Sequence, residues 1–270
     1  MIDTRPPLAD LLSSFDALVA AGWRSRVIAS QPAPDPGAPR LEIRAYFNAD
    51  EVDAVLVAGI HGREPAGPIA LARSVARLVE HGRGRGLLVL PLLNPWGYLQ
   101  RERYGPSGQS VSDSDHLLGR APAPACPEAG DITAFVLSGI RIGPGAAVLD
   151  LHEDPVYEAP DYRYDGFGSY VYFIGEGAAG RPASRRVLDC LRASPLPLVR
   201  DGVTRFGEAV AGGAIVDSED GSIDELFARR LDCTPVVTVE NLLHGPEDPP
   251  LSLRVEVYRA VLDAFLGVRS

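Results

Sequence analysis

The stretch that decides the fold is Val52-Asp53-Ala54-Val55-Leu56-Val57-Ala58-Gly59-Ile60-His61-Gly62-Arg63-Glu64-Pro65. Its first part, Val52 to Ile60, is an almost unbroken apolar run, as a strand buried on both faces requires. Pro65 suits the first turn of a helix, where a missing N–H costs nothing, and that helix is expected to run to about Glu80. Gly86 to Leu92 is a second solid apolar run. Strand, helix and strand form a crossover unit, the building block of a largely parallel sheet.

Outward from this unit the pattern continues in both directions. Leu41, Ile43, Ala45 and Phe47 alternate, which predicts an edge or half-exposed strand. Before the Pro-rich connector Gln31 to Pro39, apolar residues recur at helical spacing from Leu8 to Val19 and stop at Gly22. Downstream, Ala146 to Leu151, Tyr170 to Ile174 and Pro235 to Val239 read as strands, and Arg181 to Leu191 and Leu251 to Leu266 as helices. Asn94 to Gly130, rich in Gly, Pro, Ser and Asp, has the composition of a functional loop. With no repeat and no break in composition, one domain over residues 1–270 is expected. Its fold class is α/β, a mixed, largely parallel central sheet flanked by helices on both faces.

Composition narrows the chemistry. The 270 residues carry 26 basic and 36 acidic side chains, a net charge of −10, and every basic residue is arginine. Without an ε-amine there is no lysine-dependent phosphate loop, no pyridoxal Schiff base and no Ser-Lys nucleophile. An acidic balance without a long arginine run argues against a nucleic-acid partner. No apolar run approaches a membrane span, and Asp3, Asp10 and Asp16 interrupt the N-terminal stretch, so a soluble, cytoplasmic protein with no membrane partner is expected. Cys126, Cys190 and Cys233 are odd in number and far apart, which suits reduced thiols. His81-Gly82-Arg83-Gly84-Arg85-Gly86 precedes a strand and reads as a helix-ending loop, not a dinucleotide site.

The ionisable residues that follow buried strands carry the functional signal. Ile60 is followed by His61-Gly62-Arg63-Glu64, Leu151 by His152-Glu153-Asp154, and Val239 by Glu240. In a parallel sheet these strand ends share one rim, where ligands gather. Two imidazoles and one carboxylate are the protein ligands of a catalytic zinc that keeps a position open, so His61, Glu64 and His152 are expected to hold one Zn2+. His61 and Glu64 can reach one ion if the loop curls, a curl that Gly62 would permit. Glu153 and Asp154 are rivals, but neighbouring side chains in an extended segment point apart.

The ordered set of motifs resembles zinc metallocarboxypeptidases of the carboxypeptidase A type, with their succinylglutamate desuccinylase and aspartoacylase relatives. The resemblance spans about Ala54 to Leu242: H-x-x-E as His61 to Glu64, N-P-x-G as Asn94-Pro95-Trp96-Gly97, D-x-H as Asp150-Leu151-His152, G-S-I-D as Gly221 to Asp224, and T-x-E as Thr238-Val239-Glu240. It implies that Glu240 is the general base and later acid. It also implies that an arginine after the N-P-x-G turn, Arg103 or its rival Arg101, polarises the scissile carbonyl.

Two departures bear on specificity. The family's Asn-Arg pair that grips a terminal carboxylate is best matched near Val111 to Leu117, where Asp115 stands in place of the arginine. The family's closing tyrosine falls near Val216. Asp115 beside the metal would repel a free carboxylate, while Asp115 and Ser114 would accept from an amine, hydroxyl or carboxamide and Ile223 would suit an apolar group. Tyr162, Tyr164 and Phe167, in the stretch Tyr157 to Phe167, either line a pocket or pack the loop. The expected function is a zinc-dependent hydrolase of an amide bond in a small peptide, the alternatives being an N-acyl amino acid deacylase or a non-catalytic zinc-binding relative.

Overall fold

The computed structural model describes residues 5–155, 168–203, 207–243 and 248–267, so the segment Tyr157 to Phe167 lies outside the described residues. In chain order the strands are β1 (Arg24–Gln31), β2 (Leu41–Phe47), β3 (Glu51–Ala58), β4 (Leu87–Leu90), β5 (Arg141–Pro155), β6 (Ser169–Ile174), β7 (Gly202–Val203), β8 (Ala209–Val210), β9 (Ala214–Val216) and β10 (Val236–Leu243). The helices are α1 (Leu8–Ser13), α2 (Asp16–Ala20), α3 (Ala66–Arg73), α4 (Val75–Gly82), α5 (Pro95–Gln100), α6 (Pro127–Ala134), α7 (Pro182–Ala193), α8 (Ile223–Arg230) and α9 (Leu251–Leu266).

Eight strands form one mixed sheet in the order β1-β2-β4-β3-β5-β10-β6-β9. The central run β4-β3-β5-β10 is parallel, and antiparallel pairs flank it at β2/β4 and β10/β6. The crossover unit forms as expected, with α3 and α4 carrying the chain from β3 to β4. Alternation along β3 explains why its sequence is apolar from Ala54 to Ala58, past the exposed Glu51 and Asp53 at its start. Ala54, Leu56 and Ala58 join a core with α3 and α9, whereas Val55 and Val57 join a second core with α6 and α8. A strand buried on both faces has no solvent side to read as polar.

Three expectations are modified. Of the two readings of the alternating strand β2, half-exposed holds and edge does not, because β1, whose sequence is largely polar, pairs along its outer side. The expected N-terminal helix is divided into α1 and α2, which still delivers Leu11, Phe15 and Leu18 to the core. The helix after Pro65 is likewise divided at Ser74 into α3 and α4. Cys126 and Cys233 are buried free thiols and Cys190 is partly exposed. Among the described residues, no helix is long and apolar enough to cross a membrane.

The same alternation positions the chemistry. On β5, Leu149 and Leu151 face α3 and α9 while Val148 faces α8, so Asp150 and His152 emerge on the α8 side. On β10, Val237 and Val239 face α9, which puts Thr238 and Glu240 beside Asp150 and His152 in the parallel pairing.

Candidate metal centre

His61, Glu64 and His152 come together at the ends of β3 and β5, each offering one ligand atom within 4.8 Å of the others. Nδ1 of His61 lies 2.7 Å from Glu64 Oε1, and Nδ1 of His152 lies 2.9 Å from Glu64 Oε2. The His61 contact lacks hydrogen-bond geometry, leaving that buried nitrogen without a partner. A ring nitrogen so close to a carboxylate without donating to it is what converging ligands look like, and a nitrogen, nitrogen, oxygen donor set fits a zinc-type ion. The residues present therefore fit the metal.

Charge and burial support that fit. Burial disfavours a charged Glu64, but His61 and His152 outweigh it and hold the carboxyl well below the usual range. Burial lowers His61, against the attraction of Glu64. Burial also opposes a charged His152, yet Asp150 and Glu64 raise it well above an ordinary histidine. Asp150 Oδ2 sits 3.2 Å from His152 Nε2 without hydrogen-bond geometry, a charge contact on the ring edge away from the Nδ1 that faces Glu64. Glu240, on the same face, is raised well above the usual carboxyl range by burial, with Glu64 and Asp154 adding repulsion, and its Oε2 has no hydrogen-bond partner.

The glycine in His61-Gly62-Arg63-Glu64 has a different role from the expected one. The left-handed backbone belongs to Gly59, with φ of 68°, and Gly62 is needed for close approach instead. A Cβ on Gly62 would stand 1.9 Å from the carbonyl carbon of Gly97. The H-x-x-E and N-P-x-G motifs are thus one packing unit. Asn94 Oδ1 caps α5 by accepting from Gly97 N at 2.9 Å, and its Nδ2 donates to Arg103 O at 3.2 Å. Gly62 N donates to the same carbonyl at 3.1 Å. This unit places Arg103, whose guanidinium NH1 donates to Glu64 Oε1 at 3.1 Å. Gly62→Ala is expected to destabilise the protein by about 3 kcal/mol, since backbone must move to admit the methyl. Urea unfolding of the metal-free protein measures it, and a change below about 0.5 kcal/mol would mean the two turns are not in contact.

The opposite face of β5 is braced from the terminal helix. Glu153, fully buried, accepts from Ala66 N at 3.0 Å through Oε2 and pairs with Arg254 of α9 through Oε1. Tyr258, one turn further along α9, donates to the carbonyl of His152. Removing one partner of a buried pair strands the other charge, so Arg254→Met should cost about 3 kcal/mol or more. The control is Arg259→Met on the same helix, where the partner Glu256 is solvent-exposed. Equal melting temperatures for the two variants would exclude the bracing role.

Two of the three converging donors, His61 and His152, open onto a cavity of about 490 Å³, also lined by Arg103, Glu240 and Thr238 among others. Of the expected substrate residues, Ser114, Asp115, Ile223 and Arg101 are not on its wall. Ile223 is fully buried in the core beneath α8, and Ser114 is fully buried, its hydroxyl donating to Ser112 O at 3.2 Å. Asp115 turns back under Gly221, whose Cβ would meet its Oδ1 at 2.2 Å, and faces Arg120 at 3.6 Å. Arg101 takes a left-handed conformation, φ 58°, that ends α5. The segment does reach the cavity through Ser110, Ser112 and Asp113, because a tight turn, closed by Asp115 N donating to Asp113 Oδ1, separates these from Asp115. Three wall residues that the motifs did not reveal, Tyr172, Glu208 and Ser218, come from β6 and from loops distant in sequence.

No protein-family model matches the chain, and no curated protein does. Its structure is similar to that of a proposed metallopeptidase of Shewanella baltica OS155, with TM-score 0.72 and 18% identity over 97% of this chain and 91% of that one. It is also similar to a metallo-carboxypeptidase of Pseudomonas aeruginosa, with TM-score 0.55 and 17% identity over 96% of this chain and 67% of that one. An aspartoacylase family protein of Mesorhizobium loti matches with TM-score 0.51 and 18% identity over 90% of this chain and 67% of that one. The chain thus shares its α/β fold with metallo-carboxypeptidases and aspartoacylase family proteins, the group that its strand-end motifs resemble.

Proposed function

We propose that the chain is a zinc-dependent hydrolase of an amide bond, carboxypeptidase-like in its chemistry, with His61, Glu64 and His152 as the metal ligands. The observation that carries this reading is the convergence of those three donors beside one cavity, whose wall holds His61 and His152 together with Glu240 and Arg103. When bound, the metal supplies Lewis acidity, lowering the pKa of a water and drawing electron density from a carbonyl. Glu240 takes a proton from the attacking water and delivers it to the departing amine, a task for a carboxyl near the metal whose proton affinity burial has raised. Arg103 donates toward the negative charge that develops on the carbonyl oxygen. Asp150 places its negative charge beside His152 Nε2, and Tyr170, whose hydroxyl donates to Asp154 at 3.1 Å, borders the cavity beside Glu240.

Deacylation of an N-acyl amino acid is a second reading within the same chemistry. It is favoured by one feature: the position expected to grip a terminal carboxylate carries Asp115, which lies behind the cavity wall. The presence of Glu240 within β10, opposite His152, counts against a relative that binds metal without turnover. The test is a screen of zinc-reconstituted and metal-free protein against free-acid peptides, peptide amides and N-acyl amino acids. Cleavage in at least one class by the zinc form alone is expected, and no cleavage in any class would sink the hydrolase reading.

A further inference from the structure

The cavity beside the metal ligands is acidic. Besides Glu153, whose carboxylate faces Arg254 on the other side of β5, seven acidic residues line it against a single arginine among the described residues, Arg103. Arg103 already faces Glu64 at 3.1 Å. Arg120 and Arg229 lie off the wall, each within 2.8 Å of Glu225, and they also pair with Glu219 of the wall at 3.4 and 2.8 Å, so the excess of negative charge rests on the other wall carboxylates. Carboxylates in excess are ordinary on a solvated surface, but this cavity also has apolar walls and a buried acceptor. Ile174 and the rings of Tyr170 and Tyr172 line it, and Asp224, only 3% exposed, keeps Oδ1 without a hydrogen-bond partner in its wall.

An arm of the cavity follows the face of β10 and β6 away from the metal. Glu240 pairs with Tyr170, Thr238 with Tyr172, and Val236 with Ile174. At about 3.4 Å per residue, Thr238 and Tyr172 lie roughly 7 Å from Glu240 and Tyr170. There Glu208 borders the arm: its Oε2 accepts from the Tyr172 hydroxyl at 3.3 Å and its Oε1 from Ser218 at 2.6 Å. Two hydroxyl donors hold this carboxylate in one orientation, above an apolar floor.

From this arrangement we infer that the cavity takes substrates whose reacting residue bears a cationic side chain, an amine or guanidinium on an aliphatic stem, and that Glu208 determines this specificity. The inference rests on the amide-hydrolase reading of the site. The stem lies along Ile174 and the Tyr172 ring while the charged tip meets Glu208, matching a side chain that is apolar along its length and charged at its end. An acidic side chain in the same arm meets like charge.

Calorimetric titration of the zinc-loaded Glu240→Gln protein tests this without turnover of the ligands. The probes are Nα-acetyl-lysine amide, its Nε-acetylated neutral counterpart and Nα-acetyl-glutamate amide. Binding of the lysine compound about tenfold tighter than the neutral one is expected, with the glutamate compound weakest. Adding Glu208→Gln should shrink the lysine preference to about twofold or less. Equal binding of the charged and neutral lysine compounds, tighter binding of glutamate, or a preference that survives Glu208→Gln overturns the inference. The two readings fail separately: selective binding without hydrolysis by the parent protein removes only the hydrolase reading, and hydrolysis indifferent to side-chain charge removes only this one.

Discussion

Zinc is expected to be lost from the His61→Ala, His152→Ala double variant, while the parent binds about one equivalent per chain. The size of the effect follows from the ligand count. Among the described residues three protein donors converge here, and removing both imidazoles leaves Glu64, a single carboxylate that on its own cannot compete with water for the ion. The other cluster of possible ligands, Asp150, His152 and Asp224, includes His152, so the double variant disables it too. The variant should still fold, because both imidazoles sit at strand ends and outside the apolar cores. Elemental analysis after dialysis against a weak chelator reads the result, and a full equivalent retained by the double variant would refute this ligand set.

The second large effect belongs to Glu240. Glu240→Gln keeps the shape and removes the proton carrier, so turnover should fall on the order of a hundredfold or more while zinc content stays at the parent level. The separation of the two readouts is the point of the experiment. Glu240 sits opposite His152 in the β5/β10 pairing but is outside the converging donor set. Loss of turnover with zinc intact assigns it to proton transfer, whereas turnover within a fewfold of the parent would exclude that role.

Much of this arrangement was legible before the structure, for physical reasons. Buried parallel strands have no polar face, so Val52 to Ile60 and Gly86 to Leu92 stand out, and a histidine or glutamate directly after such a run is conspicuous. The terminal helix α9 was equally plain, with its bounds at Leu251 and Leu266 as expected. What stayed hidden depended on long-range pairing or on close packing. β1 is largely polar and carries no apolar pattern, and β7, β8 and β9 are only two or three residues long. Gly62 looked like a residue chosen for conformational freedom, yet its lack of a side chain is required by Gly97, 35 residues away by number. Asp115 looked like a pocket residue because its segment leaves the correct rim, but a turn at Asp113 sends it behind the wall. The acidity expected from Asp115 is nonetheless present, supplied by Glu208, Asp220 and their neighbours from loops that no local motif announces.

The most direct test of the account is a zinc titration of the metal-free protein, followed by amide cleavage with the best substrate of the screen. The account predicts that the rate rises linearly with added zinc and levels off at about one equivalent per chain, with no rise for the His61→Ala, His152→Ala protein. Cleavage that proceeds equally without metal, or that responds to zinc in the double variant as it does in the parent, would contradict it.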